Sequence, residues 1–166
     1  MKDNKEQNLS QVQMAAHGAM IAAIYVVLTM LFAPFSFRAV QVRVAEALTI
    51  LPLFTPAAVP GLFVGCILAN ILGGAIIWDV IFGSIATLIG AVAGRMLRRN
   101  RWLVPIPAII SNTVIVPLVL RYGYGENIPV LLMAVYVAAG EIISCYFLGE
   151  LLAEVLLRYK NTIFIN

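Results

Sequence analysis

Long apolar stretches alternate with short polar ones along most of the chain. The first apolar stretch ends at Pro34, and proline ends or kinks a helix. The next stretch, residues 44–77, is predominantly apolar for 34 positions, which exceeds the roughly 20 residues that one spanning helix needs. It is interrupted by Pro52, Pro56, Pro60 and Gly61. We therefore expect two shorter spans joined by a tight turn.

Three further apolar stretches follow, separated by an arginine cluster and by the polar turn 121–127. The pattern predicts six membrane spans, at about residues 14–33, 44–56, 59–77, 80–97, 102–120 and 129–157. The predicted fold is all-α: an integral membrane six-helix bundle with short loops, forming a single transmembrane domain of residues 1–166.

Composition supports a membrane protein and argues against a soluble enzyme. Hydrophobic residues make up 62% of the 166 positions and charged residues 11%, whereas a soluble domain is about half apolar and a quarter charged. The sequence contains no P-loop, no nucleophile with its base and no metal-ligand set. Cys66 and Cys145 lie in apolar segments and are expected to be small buried hydrophobes. We predict no catalytic residue and no cofactor. Because the sequence has no P-loop, active transport would require a partner that supplies the energy.

The basic residues indicate the orientation of the spans. The positive-inside rule places the arginine cluster 95–101 in the cytoplasm. With six spans, both termini are then cytoplasmic, and eight of the eleven Lys and Arg residues lie inside. The polar groups expected at the outer face are Arg38, Gln41, Arg43, Trp78, Asp79 and residues 121–127.

Ionisable residues within the spans are candidates for function, because burying one in a membrane costs about 2.5–3.5 kcal/mol. Glu141 lies near the middle of the last span without a local cation, and binds either a ligand or a neighbouring helix. Arg43 and Glu46, three positions apart, share a helical face. They either pair with each other or meet a polar, planar ligand.

Other polar residues have two interpretations as well. Trp78 and Asp79 offer a stacking face beside a carboxylate, or an interfacial anchor followed by a helix cap. Asn70 and Asn112 are amides within spans that contact either a ligand or another helix.

Small residues recur at four-residue spacing in the first span, as Ala15, Ala19 and Ala23. Such a stripe lets another helix approach closely.

Several motifs resemble those of one transporter family. They are Gln-x-Arg-x-x-Glu-Ala-Leu from Gln41, Trp-Asp-Val-x-Phe-Gly-Ser from Trp78, SNTVIV at 111–116 and GEIISCYFLGELL at 140–152. With them, nearly all the spans resemble the QueT family, the substrate-binding subunits of energy-coupling factor (ECF) importers.

The resemblance implies uptake of a queuosine precursor, a 7-deazaguanine such as pre-queuosine or queuine, across a bacterial plasma membrane. It also implies a transmembrane coupling subunit and two cytoplasmic ATPases as partners, with Ala15, Ala19 and Ala23 docking on the coupling subunit.

The residue chemistry agrees with this substrate class. A deazaguanine presents N1–H and 2-amino donors, which suit a carboxylate, and a 6-oxo acceptor, which suits Arg, Gln or Asn. An aminomethyl cation would need a second carboxylate. The candidate binding residues are Gln41, Arg43, Glu46, Asn70, Trp78, Asp79, Asn112, Tyr136 and Glu141. Glu141 or Glu46 is favoured for the guanine-like edge, and Asp79 for a place near the mouth.

Three other functions remain open. The chain is alternatively a binding subunit for another vitamin, a stand-alone proton-coupled transporter with Glu141 as the proton carrier, or a membrane scaffold that transports nothing.

Overall fold

Helices account for nearly all of the residues that the computed structural model describes, which are 2–32 and 43–159, with side chains from residue 11 onward. No strand occurs within these ranges, so the all-α prediction is confirmed for them. The α-helices are α1 (Lys2–Leu31), α2 (Ala58–Leu72), α3 (Ile77–Met96), α4 (Ile106–Leu118), α5 (Val130–Glu141) and α6 (Gly149–Arg158). Tighter 3₁₀ helices cover Val44–Leu53 and Arg101–Leu103, and wider π-helical segments cover Val119–Gly123 and Ile142–Leu148.

Four helical stretches are long and apolar enough to cross a membrane: Gln11–Leu31, Ile77–Met96, Arg101–Gly123 and Val130–Arg158. The proline-broken stretch instead forms two short apolar helices, Val44–Leu53 and Ala58–Leu72. From the rise per residue of 3₁₀ and α-helices, each extends roughly 20 Å, less than the hydrocarbon thickness of about 30 Å. The six-helix bundle therefore stays a prediction.

The first 3₁₀ helix, Val44–Leu53, lies inside the protein rather than against lipid. All of its residues except Val44 and Leu53 are buried, and it contacts α1, α3, α6 and the second π-helical segment. A 3₁₀ helix has three residues per turn, so side chains three apart lie directly above one another. Glu46 and Thr49 consequently lie in one buried row, and Arg43, whose backbone is extended, immediately precedes the helix.

Close packing of consecutive helices depends on glycine. The principal helix contacts are α1 with α2, α2 with α3, α3 with α4 and α4 with α5. A Cβ atom on Gly61 of α2 would lie 2.7 Å from the carbonyl oxygen of Gly18 on α1. Since real Cβ atoms do not approach so closely, these two helices can meet only without a side chain at this position.

Polar contacts distinguish two ends of the protein. At the Asp79 end, Asp79 contacts Arg43 and Tyr124. At the opposite end, Arg95 Nη1 donates to the Pro52 carbonyl oxygen at 2.8 Å, and Arg101 Nε lies 3.4 Å from Glu150 Oε2. The first 3₁₀ helix, Val44–Leu53, runs between these ends. Which end faces the cytoplasm stays a prediction.

Candidate ligand-binding site

A cluster of polar side chains is buried where α1, the first 3₁₀ helix, α3, α4 and α5 meet. None of its members is more than 4% exposed. This polar cluster comprises Tyr25, Arg43, Glu46, Asp79, Asn112, Glu141 and Cys145. Ionisable groups at such positions in a membrane protein normally mark a ligand or ion site.

Arg43 pairs with Asp79 rather than with its near neighbour Glu46 within the described ranges. Arg43 Nη2 lies 3.8 Å from Asp79 Oδ2. Neither Arg43 Nη2 nor Asp79 Oδ1 has a hydrogen-bond partner among the described residues. A Cβ atom on Gly83 would lie only 3.0 Å from Asp79 Oδ1, so this glycine leaves room beside the carboxylate.

Tyr124 covers Asp79 from the loop after the first π-helical segment. Its hydroxyl donates to Asp79 Oδ2 at 3.2 Å and accepts from the Ile76 amide at 3.4 Å. Partial burial and the nearby carboxylate raise the pKa of Tyr124 above its ordinary value of 10.0. The phenol therefore stays protonated, and able to donate, throughout the physiological pH range.

Glu46 is held by a tyrosine from α1. Tyr25 Oη donates to Glu46 Oε1 at 2.6 Å, and both residues are almost completely buried. The second oxygen, Glu46 Oε2, has no hydrogen-bond partner in the part of the chain that the structure describes. The hydrogen bond to Oε1 thus orients the Glu46 carboxyl group, and Oε2 is available to a ligand.

Glu141 faces Glu46 across the cluster. Cys145, one helical turn later, donates from Sγ to Glu141 Oε2 at 3.0 Å. One ligand atom from each of Glu46, Glu141 and Cys145 lies within 4.8 Å of the other two. Sequence analysis found no metal-ligand set because Glu46 lies far from Glu141 and Cys145 in the chain.

Asn112 of α4 completes this side of the cluster. Its side chain lies beside the Glu141 carboxyl group. Neither its amide nitrogen nor its oxygen has a hydrogen-bond partner within residues 2–32 and 43–159, although the residue is 0% exposed. A fully buried amide normally satisfies both groups, so Asn112 is a strong candidate for ligand contact.

Asn70 connects helices next to the cluster. Its Nδ2 lies 3.4 Å from the backbone oxygen of Asp79 and 3.6 Å from Cys66 Sγ. The first contact joins α2 to α3, whereas the second lies within α2. Asn70 therefore positions the backbone that carries Asp79.

Three predicted binding residues are not placed in the cluster. Trp78 is 54% exposed, stacks on Phe82 at 6.0 Å between ring centroids and lines an apolar cavity of about 700 Å³ between α3 and α4. Tyr136 is half-buried, and five residues of α-helix separate it by about 140° from Glu141. Gln41 lies outside the described residues.

Sequence reasoning missed Tyr25, Tyr124 and the hydrogen bond of Cys145. Tyr25 was detectable in principle, because a tyrosine hydroxyl within an apolar span needs a partner. Cys145 follows Glu141 by four positions, which places both on one helical face. Nothing local in the sequence connects Tyr124 to Asp79.

The predicted alanine stripe lies on the outer surface of α1. Ala15, Ala19 and Ala23 are exposed, while Gly18 and Ala22 on the adjacent face are buried against α2. A cavity of about 270 Å³ lies along the stripe and is bounded across α2 by Pro60, Gly61 and Val64. The small residues of α1 therefore form two faces, one packed within the protein and one open.

A model of the QueT transporter family matches residues 15–158, which include every described member of the cluster. The chain belongs to the QueT transporter family. It is accordingly a transporter rather than an enzyme, and a multi-pass membrane protein, as its apolar helices also indicate. No curated protein and no solved structure matches the chain.

The polar cluster gives this QueT-family chain the chemistry to bind a small polar ligand. Within the described residues, Arg43 Nη2 and the Asn112 amide nitrogen are donors without a hydrogen-bond partner, and Glu46 Oε2, Asp79 Oδ1 and the Asn112 oxygen are acceptors without one. A planar heterocycle with both N–H and carbonyl groups would satisfy both kinds of atom.

Proposed function

We propose that the chain is the substrate-binding subunit of an ECF importer and captures a queuosine precursor, a 7-deazaguanine such as pre-queuosine or queuine. The observation that carries this proposal is the combination of the family match with a buried cluster of unpaired donors and acceptors. The family match alone does not indicate which atoms of a ligand are bound. The cluster alone does not indicate a transport system.

The cluster complements a guanine-like ring. A carboxylate accepts from the N1–H and 2-amino groups together, and Arg43 or Asn112 donates to the 6-oxo group. Asp79 lies near the mouth and Glu141 on the far side of the cluster. Because the site is enclosed, these hydrogen bonds form where water competes little.

Transport in this proposal depends on partners. The exposed alanine stripe docks on a transmembrane coupling subunit, since small side chains let two helices approach closely. Two cytoplasmic ATPases supply the energy. The termini and the Arg95 end face the cytoplasm, and the Asp79 end receives the ligand from outside.

Mass spectrometry of purified protein tests the ligand. We expect a deazaguanine to copurify, and calorimetry to show binding of pre-queuosine or queuine but not of riboflavin. Glu141→Gln should weaken that binding at least about tenfold without unfolding the protein, since a charged buried hydrogen bond is worth about 1.5–3 kcal/mol. The exposed Glu154→Gln is the matched control. Binding of another vitamin alone would contradict the substrate.

Copurification with the coupling subunit tests the docking face. Ala19→Leu should preserve ligand binding and impair assembly, because the added side chain separates the two helices. Ala139→Leu makes the same change at an exposed position on α5 and should assemble normally. Equal assembly of both variants would remove the stripe from the interface.

Uptake measurements test the source of energy. Cells that lack the two ATPases should not accumulate the ligand. Uptake that persists without the ATPases but stops when the proton gradient collapses would instead identify a stand-alone proton-coupled transporter.

A further inference from the structure

The polar cluster contains more acids than bases. Among the described residues it has one cationic side chain, Arg43, and three carboxyl groups, Glu46, Asp79 and Glu141. Arg43 approaches Asp79 to 3.8 Å. Among the described residues, Glu46 and Glu141 therefore have no ion-pair contact with a cation, although Arg43 lies in the same cluster.

These two carboxyl groups lie close enough to act on one ligand atom. Their ligand oxygens are within 4.8 Å of each other, and like charges at that separation repel strongly in a buried site. Their observed hydrogen bonds come from a phenol and a thiol, Tyr25 and Cys145. Both donors are uncharged groups.

Polar atoms without a hydrogen-bond partner occur in the same cluster. Glu46 Oε2 and the Asn112 amide have no hydrogen-bond partner in the described chain, and both residues are 0% exposed. Asn112 lies beside Glu141. The site thus offers acceptors from three helices around the two carboxyl groups.

We propose that Glu46 and Glu141 together bind a positively charged amino group of the ligand, so that the protein selects an ammonium-bearing heterocycle over a neutral analogue with the same ring. The inference rests on the proposed function, which supplies the ring. A tetrahedral ammonium nitrogen about 2.8 Å from each of two acceptors holds them about 4.6 Å apart. The upper limit of 4.8 Å on the separation of their ligand oxygens allows this arrangement. Asp79 and Arg43 then remain for the guanine-like edge.

An amino group suits this site better than a metal ion. Cys145 donates a hydrogen bond to Glu141, which an ammonium ligand leaves in place, whereas a metal ion would have to displace the thiol proton because it binds the thiolate. An ammonium group also brings three donors, enough for Glu46, Glu141 and the Asn112 oxygen.

Calorimetry on the purified full chain, with EDTA present, tests the selectivity. The two probes are 7-aminomethyl-7-deazaguanine, which is cationic, and its 7-hydroxymethyl analogue, which is neutral and of similar size. The wild type should bind the cationic probe at least about tenfold more tightly, as expected for hydrogen bonds to charged groups. Glu46→Gln and Glu141→Gln should each retain the neutral probe and lose most of the preference, whereas Glu154→Gln should keep it.

Wild-type selectivity decides the proposal even if a variant does not fold. Equal binding of the two probes overturns the inference alone, because a proton then neutralises the carboxyl pair. Binding of the cationic probe that EDTA abolishes and zinc restores also overturns it, in favour of a metal site. Binding of queuine but of neither probe also overturns the inference alone, whereas binding of none of the three contradicts the proposed function as well.

Discussion

The polar cluster and the α1–α2 contact are both built on α1, yet they depend on opposite properties of their side chains. Tyr25 contributes a hydroxyl to the cluster, where a lost partner leaves a buried polar group unsatisfied. Gly18 and Gly61 have no side chain, which permits the backbones of α1 and α2 to meet. Changes of charge should therefore damage the first region, and changes of volume the second.

Removal of the cation should have the largest effect. Arg43→Ala leaves Asp79 buried without its ion-pair partner, which typically costs about 3–5 kcal/mol. We expect loss of ligand binding and a large fall in thermal stability in detergent. Arg158→Ala, at an exposed ion pair, should change little.

A double variant separates the structural part of this effect from the functional part. Arg43→Ala with Asp79→Ala removes both charges, so folding should largely recover while ligand binding remains lost. A single Arg43→Ala variant that is stable and binds ligand normally would contradict the importance of the pair.

An increase in volume should have the next largest effect, and only on the inner face of α1. Gly61→Leu forces α1 and α2 apart and should destabilise the isolated protein by about 1–3 kcal/mol, as overpacking does. Ala19→Leu adds the same side chain on the open face and should leave thermal stability unchanged. Equal destabilisation by the two variants would show that the two faces do not differ.

Loss of a single hydroxyl should have a smaller effect, on the cluster alone. Tyr25→Phe keeps the ring but leaves Glu46 Oε1 without its donor, which should cost about 1 kcal/mol and weaken ligand binding several-fold. Chemical unfolding and calorimetry would measure the two quantities. Tyr122→Phe, at a highly exposed position, is the control and should match the wild type in both.

Tyr124 should have the smallest effect. Tyr124→Phe removes one hydrogen bond to Asp79 at a partly exposed position, so binding should weaken only about twofold. The pKa of the folded-state phenol is raised, so its contribution is present below its ordinary pKa and is lost as the pH rises through the raised value. The variant and the wild type should therefore converge in strongly alkaline solution, in thermal unfolding followed against pH.

Prediction from sequence succeeded where the relevant physics is local. Among the described residues, the four long helical stretches follow from apolar segments of spanning length, and proline breaks divide residues 44–77 into two short helices. Arg43 and Glu46 were expected on one helical face, but Arg43 has an extended backbone and precedes the 3₁₀ helix that carries Glu46. Glu141 was identified because a lone carboxyl group in an apolar helix needs a compensating partner.

Contact partners that lie far apart in the sequence were not predicted. Arg43 was expected to pair with Glu46 or to meet a ligand, and it contacts Asp79 on another helix. Trp78 and Asp79 were grouped together, but consecutive residues of an α-helix point about 100° apart, and the structure buries only Asp79. Hydrophobicity did not indicate which of the two would face inward.

The sequence by itself determined that this protein is helical and membrane-embedded, and which ionisable residues would have to be compensated, because hydrophobic length and the cost of burying charge act on each segment separately. Only the tertiary structure decided that Glu46 faces Glu141, that Tyr25 and Cys145 hold them, and that Ala19 lies on an open face while Gly18 lies on a packed one. Those outcomes depend on how each helix is rotated against its neighbours, which is settled by packing across the whole protein.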